Sequence, residues 1–137
     1  MIIASPRDVE GTVGCCSHGG VGEYFVRTLL DRTTNAGFKY VRDLTPPPGS
    51  TIGLHPHEGD EEIYFVIEGE GVMVVDDEEH PFEAGAVCLT PSGHSHALRN
   101  DGDVDLRIFV ACVATPASRD RGKHRQQDDG AAGQPAS

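Results

Sequence analysis

From Glu23 to Ala114 the chain is a succession of short runs of β-forming residues separated by turn residues. The runs are rich in Val, Ile, Phe and Tyr, clusters of Gly, Pro and Asp divide them, and no stretch of about ten residues has a convincing helical period. Closely spaced strands with this punctuation are typical of a sandwich or barrel, in which closure removes exposed strand edges. The sequence therefore predicts an all-β fold.

Composition divides the 137 residues into three parts. Residues 23–114 are predicted to form one domain, because a chain of this length buries enough apolar surface to fold without disulfides or a structural metal. Residues 115–137 contain no Val, Ile, Leu or aromatic residue, so we expect a disordered tail. Residues 1–22 are an N-terminal segment whose first four residues are suited to a short strand.

The charge balance restricts the partners that we expect. The chain has 22 acidic residues against 11 Lys and Arg, a formal charge of −11 that repels nucleic-acid phosphates and anionic lipid heads. Its longest apolar stretch, residues 108–114, is far shorter than the roughly 20 residues that span a bilayer. We therefore expect a cytoplasmic protein with a small-molecule substrate, and neither nucleic acid nor a membrane as partner.

The four cysteines show no metal-binding or redox spacing. Cys15 and Cys16 are adjacent, whereas Cys88 and Cys112 lie in apolar runs. We expect all four to be reduced thiols, with the last two in the core.

Three histidines and one glutamate have positions that allow them to meet. Side chains alternate across a strand, so His55 and His57 share one face. If the following strand pairs with theirs as a hairpin, Glu62 reaches the same point. His96, after a turn rich in Pro and Gly, can arrive from another strand.

Such a group of side chains inside an apolar barrel requires compensation. Each buried polar group left unsatisfied costs about 1–3 kcal/mol, and an unpaired charge costs more. A divalent transition metal supplies that compensation, and imidazole with carboxylate suits iron, manganese, zinc, nickel, cobalt or copper. Four protein ligands leave positions open for substrate, water or dioxygen. The residues alone do not choose among these metals.

The same residues belong to two longer patterns. Residues 49–69 fit G-x5-H-x-H-x4-E-x6-G and residues 85–100 fit G-x5-P-x-G-x2-H-x3-N, both without a mismatch. These are the two motifs of the cupin superfamily, and the chain resembles the small single-domain bacterial cupins over about residues 23–114. The matched positions are Gly49, His55, His57, Glu62, Gly69, Gly85, Pro91, Gly93, His96 and Asn100.

The resemblance implies a double-stranded β-helix, also called a jelly-roll barrel, and frequently a homodimer. It also implies one divalent metal held by His55, His57, Glu62 and His96. The implied function is a metal-dependent enzyme that acts on a small polar metabolite by dioxygenase-type chemistry or by Lewis-acid isomerisation or cyclisation. The alternative is a non-catalytic module that binds a metal and a small molecule. No catalytic residue is assigned beyond the ligands.

Several neighbouring residues keep two interpretations. Glu61 competes with Glu62, but only Glu62 keeps the six-residue step to Gly69. His94 is either a rim residue or an acid or base, and Tyr64 either packs or donates a hydrogen bond to substrate. His18 and His80 receive no role. Arginines have two interpretations as well: each either binds a substrate carboxylate or is exposed to solvent. These are Arg42, Arg99 and Arg107.

Overall fold

The computed structural model describes residues 3–33 and 37–116, and it confirms the all-β prediction. Within these residues the only regular element that is not a strand is a 3-10 turn at Ser17–Gly19. The strands are β1 (Thr12–Cys15), β2 (Glu23–Asp31), β3 (Phe38–Thr45), β4 (Thr51–Pro56), β5 (Asp60–Glu68), β6 (Glu70–Val75), β7 (Glu78–Glu83), β8 (Val87–Thr90), β9 (Ser95–Arg99) and β10 (Arg107–Ala114).

The strands form two antiparallel sheets. The larger sheet has the order β1-β2-β3-β10-β5-β8, and the smaller has the order β4-β9-β6-β7. The core is apolar and draws on both sheets, with Val66 and Ile108 from the larger one and Met73 and Leu98 from the smaller one all buried. This two-sheet arrangement is the predicted jelly roll.

The hairpin between β4 and β5 that the sequence left open does not form. β4 pairs with β9, and β5 pairs with β10 and β8, so the two strands lie in different sheets. Their connection, residues 57–59, crosses from one sheet to the other. Side chains still alternate along each strand. Those that face inward from opposite sheets point at each other, so ligands from the two sheets can meet.

Asn100, the last residue of the second motif, holds a corner of the fold. Its buried side-chain amide donates to the carbonyl oxygens of Pro46 and Val104, each at 2.9 Å, and its side-chain oxygen accepts from the Gly102 N–H at 3.1 Å. The Gly49 N–H donates to the Asn100 carbonyl at 2.8 Å, which joins the start of the first motif to the end of the second. Asn100 is therefore structural.

The turn between β6 and β7 takes the conformation that the sequence favours. Asp76 and Asp77 have φ of 46° and 72°, in the left-handed region that Asp tolerates better than most residues.

The N-terminal segment supplies β1, which pairs with β2. Ile3 and Ala4 are outside any strand, and residues 1–2 lie outside the described residues, as does the predicted tail from residue 117 onward. Residues 16–22, which connect β1 to β2, are called the mouth loop below.

The expectation of four reduced thiols is also corrected. Cys15 and Cys16 are joined as a disulfide between adjacent residues, whereas Cys88 and Cys112 are free and Cys112 is fully buried.

Two surface features bear on partners. Within residues 3–33 and 37–116, no helix has the length and apolar composition needed to cross a membrane. On the outer side of the larger sheet, Phe65 and Ile67 of β5 and Val87 and Leu89 of the edge strand β8 are 39–62% exposed.

Candidate metal centre

Three elements from the two sheets deliver the candidate ligands. His55 lies on β4 and His96 on β9, and the two are register partners across the smaller sheet. His57 directly follows β4, where its N–H donates to the His94 carbonyl at 2.9 Å and its carbonyl accepts from the Gly93 N–H at 2.7 Å. Glu62 comes from β5 in the opposite sheet.

The four side chains meet between the sheets. The Nε2 atom of His96 lies 3.2 Å from the Nε2 of His57 and 3.0 Å from the Nε2 of His55. The Oε1 atom of Glu62 lies 3.2 Å from the Nε2 of His57 and 3.2 Å from that of His96. One ligand atom from each of the four residues lies within 4.8 Å of all the others. The structure thus brings together the four residues predicted from the sequence, with Glu62 rather than Glu61.

The opposite nitrogen of each ring faces the protein. The Nδ1 of His55 is 2.7 Å from the Gly53 carbonyl oxygen, and that of His57 is 2.8 Å from Asp60 Oδ1. The Nδ1 of His96 is 2.7 Å from the Thr90 hydroxyl, which can accept. Because a carbonyl or carboxylate oxygen only accepts, Nδ1 of His55 and Nδ1 of His57 carry a proton, and the Nε2 atoms of all three rings face the common point.

Glu62 completes the set. Its Oε2 accepts a hydrogen bond from the Tyr40 hydroxyl, whereas Oε1 is buried and has no hydrogen-bond partner among the described residues. A buried carboxylate oxygen and three ring nitrogens this close together are stable only with a proton or a metal cation between them. The donor set therefore fits a divalent transition metal.

The electrostatics of the cluster agree with that fit. Burial lowers the pKa of His55 to about 4, which keeps its imidazole neutral. Burial alone would raise the pKa of Glu62, but contacts with His57, His96 and Tyr40 outweigh it and hold that pKa below its usual value. Contacts with Cys112 and Glu62 raise the pKa of His57 to about 10. The point between His57 and Glu62 therefore favours positive charge.

A second group of possible ligands shares His57. Asp60 lies at its Nδ1, and one ligand atom from each of His57, Asp60 and Cys112 is within 4.8 Å of the others. Lys39 also contacts the Asp60 carboxylate, and this neighbour, together with His57, lowers the pKa of Asp60 against the opposing effect of burial. Asp60 therefore already has two cationic or hydrogen-bonding partners, so it serves better as the support of His57 than as a ligand.

A cavity of about 260 Å³ opens onto the cluster. His55 and Glu62 form its metal-facing end, and Tyr64 and Arg42 lie on its wall. Residues of β1 and of the mouth loop close its other side, namely Thr12, Ser17 and His18. The volume suits a small metabolite.

His18 belongs to this site, although no role was predicted for it from the sequence. Its ring stacks on that of His55, with centroids 3.6 Å apart and planes within 9° of parallel. The mouth loop is fixed to β4 by two hydrogen bonds, from the Val21 N–H to the Thr51 hydroxyl at 2.7 Å and from the Thr51 N–H to the Val21 carbonyl at 2.8 Å. This contact joins residues that are far apart in the sequence, as the bonded pair Val21 and Thr51 are, 30 residues apart. No local sequence pattern could have revealed it.

The remaining candidates lie elsewhere or are buried. His94 is exposed and bonded to Asp76, and His80 is exposed on β7. Tyr64 is buried, with its ring centroid 4.9 Å from that of His96, and it lines the cavity. Arg99 and Arg107 form ion pairs outside the cavity, whereas Arg42 lies in its wall.

Comparison with known proteins gives the same family from sequence and from structure. The model of the cupin domain matches residues 43–112. An oxalate-binding protein of Thermotoga maritima is 40% identical over 97 residues, which cover 69% of this chain and 79% of that protein.

Solved structures agree. The crystal structure of a "predicted oxalate decarboxylase" from Thermotoga maritima superposes with a TM-score of 0.80 at 32% identity and covers 83% of this chain and 100% of that one. A sugar phosphate isomerase "from a cupin superfamily" of Silicibacter pomeroyi gives a TM-score of 0.70 at 25% identity and covers 84% of this chain and 77% of that one. With both motifs in place between two antiparallel sheets, the chain belongs to the cupin family.

Proposed function

We propose that this protein is a metal-dependent cupin enzyme that acts on a small polar metabolite. In this proposal one divalent transition metal, which is iron, manganese, zinc, nickel, cobalt or copper, is held by His55, His57, Glu62 and His96. The observation that carries the proposal is the convergence of three Nε2 atoms on the buried Glu62 Oε1, an atom without a hydrogen-bond partner in the described part of the chain.

A metal bound by these residues supplies a Lewis acid with open positions for a substrate oxygen. The protein's part is to hold the donors in place and to exclude water. Gly53, Asp60 and Thr90 fix the three imidazole rings through Nδ1. Tyr40 fixes the carboxylate through Oε2, which leaves Oε1 directed at the metal position. Leu44, Ile52 and Val110 form the apolar part of the cavity wall.

The proposed substrate binds through a carboxylate, enol or hydroxyketone oxygen. Similarity to a protein named for oxalate binding, at 40% identity, supports a small carboxylate among these. The cavity of about 260 Å³ supports the same size class.

For the reaction, a centre of three histidines and one glutamate is similar to that of cupin dioxygenases, and we propose dioxygenase-type chemistry. Lewis-acid isomerisation or cyclisation is the competing reaction class. Turnover of a candidate carboxylate under air and under argon separates the two. Loss of turnover without oxygen supports the first, and full anaerobic turnover leaves only the second.

A binding module without catalysis is the second candidate, and the name of the Thermotoga maritima relative, an oxalate-binding protein, favours it. Chelation distinguishes the two functions. A binder loses ligand affinity when the metal is removed and shows no product at any stage, whereas an enzyme loses turnover.

The test of the whole proposal is elemental analysis of protein purified without chelators, combined with mass spectrometry of any small molecule that copurifies. We expect about one transition-metal ion per chain and a small carboxylate. Protein that stays metal-free after purification and after incubation with each of the six metals contradicts the proposal.

We also propose a homodimer, since a stripe of exposed apolar side chains, Phe65, Ile67, Val87 and Leu89, covers β5 and the sheet edge at β8. Sedimentation of Val87→Glu against the unchanged chain tests it, because a charge in the stripe should shift a dimer to the monomer. The cytoplasmic location stays a prediction.

A further inference from the structure

Arg42 is a cation in the wall of the cavity. It lies on β3, between Tyr40 and Leu44, and all three side chains line the space that opens onto His55 and Glu62. Its guanidinium carbon lies 3.7 Å from the centroid of the Tyr40 ring. The side chain is half-buried and lies over the aromatic face.

The arginine has no counter-ion among the described residues. Arg107 pairs with Asp43 at 2.8 Å and Arg99 with Glu79 at 3.1 Å, whereas no carboxylate in residues 3–33 and 37–116 forms an ion pair with Arg42. Its Nε atom is buried and has no hydrogen-bond partner there. The positive charge of this guanidinium is therefore not compensated by any carboxylate of these residues, although the side chain lines the cavity.

Its location distinguishes Arg42 from a similar arginine. Arg27 on β2 also has a buried Nε without a partner and stacks on an aromatic ring, that of Phe25, at 4.4 Å. Arg27 does not line the cavity, however. An unpaired guanidinium therefore indicates a ligand contact only at Arg42, where the donor and an empty small-molecule volume occur together.

Tyr40 connects this cation to the candidate metal centre. Its ring lies against Arg42, and its hydroxyl donates to Glu62 Oε2. Arg42 and Glu62 thus lie on the two sides of one tyrosine and line the same cavity of about 260 Å³. The two groups therefore face one ligand-sized space.

We propose that Arg42 forms an anion-binding subsite, so that the ligand of this cavity is a small dicarboxylate. One acidic group faces the metal centre and the other accepts paired hydrogen bonds from the planar guanidinium, whose geometry matches a carboxylate. The metal end of this inference rests on the proposed function, whereas the Arg42 end rests on its own contacts.

The experiment is calorimetric titration of the metal-loaded protein with malonate and, as a single-carboxylate reference, with acetate. We expect Arg42→Gln to weaken malonate binding about ten- to hundredfold, the range for a charge-assisted pair, and to change acetate binding by less than about threefold. Arg42→Lys, which keeps the charge without the fork, should fall between. Arg27→Gln is the matched control and should bind malonate like the unchanged protein.

Metal content and circular dichroism of each variant accompany the titration. The inference is overturned if Arg42→Gln keeps its metal and binds malonate as tightly as the unchanged protein, or if malonate and acetate weaken by the same factor. If the unchanged, metal-loaded protein binds acetate more tightly than malonate, the inference is also overturned, but the proposed metal site is not. If the unchanged protein binds no metal, the proposed function fails. The role of Arg42 is then tested by comparing malonate binding of the metal-free unchanged protein with that of Arg42→Gln, which should be weaker.

Discussion

The two ends of the cavity are built in different ways. At the floor, His57, Glu62 and His96 are only 6%, 2% and 1% exposed, and each has a hydrogen-bond partner behind it. At the mouth, His18 is exposed and His55 is half-buried, and the mouth loop is held by its contacts with β4.

The difference also follows the chain. All floor residues fall within residues 43–112, the part that matches the family, whereas the mouth loop and Arg42 fall before it. In this account the family part determines metal binding, and the segment before it determines which ligand enters. Variants that change one end of the cavity at a time separate these two roles.

The largest effect is expected at the floor from His57→Ala. It should reduce metal content from about one ion per chain to near zero. The reason is that it removes one of the two ring nitrogens, those of His57 and His96, that lie 3.2 Å from Glu62 Oε1. The β fold should remain, since the apolar core, and not the ion, holds the sheets together. Elemental analysis and circular dichroism measure both.

The control for that variant is His94→Ala, which removes an exposed histidine outside the cluster and should keep its metal. A His57→Ala protein that is wholly unfolded contradicts the division between ion and core. One that retains a full metal equivalent contradicts the ligand assignment.

A smaller effect is expected from Thr90→Val, which keeps the shape of a fully buried side chain but removes the hydroxyl at His96 Nδ1. Loss of such a supporting hydrogen bond typically weakens metal affinity about 10–100-fold. Thr12→Val makes the same change at the mouth and should alter metal affinity less than about twofold. Competition with a chromogenic chelator gives both values, and equal losses in the two variants would remove the distinction between floor and mouth.

The smallest effect on the metal is expected from Gly20→Ala in the mouth loop. A Cβ at Gly20 would overlap the Thr51 carbonyl oxygen, so the loop must move away from β4. Unfolding in urea should show a loss of about 1–3 kcal/mol, as for other overpacked contacts, with metal content unchanged. Gly37→Ala is the control, because a Cβ there meets nothing within 4 Å. Loss of the metal in Gly20→Ala would show that the mouth loop supports the floor as well.

The sequence predicted the metal centre well because the information for it is local. Alternation along one strand puts His55 and His57 on one face, and the spacing to Gly69 selects Glu62 over Glu61. It did not predict which strands pair. The hairpin of β4 with β5 was a reasonable local choice, but sheet pairing is decided by burial across the whole domain, and the ligands meet from opposite sheets instead.

Among the elements that the sequence did not predict, two have clear physical reasons. β7 carries Pro81 and only one buried side chain, Phe82, so it lacks the usual strand pattern, and its place at the edge of the smaller sheet is where a proline is tolerated. The mouth was missed because its contacts are long-range. Neither the stacking of His18 on His55 nor the exposure of Arg42 to the cavity follows from spacing along the chain.

The central claim is that His55, His57, Glu62 and His96 hold one metal ion, and X-ray absorption spectroscopy of the metal-loaded protein tests it most directly. We predict a first shell of nitrogen and oxygen only, at about 2.0–2.2 Å if the ion is zinc, with the scattering pattern of imidazole. Removal of His96 by His96→Ala should reduce the imidazole contribution. A sulfur neighbour at about 2.3 Å would instead place the ion at His57, Asp60 and Cys112 and contradict the account.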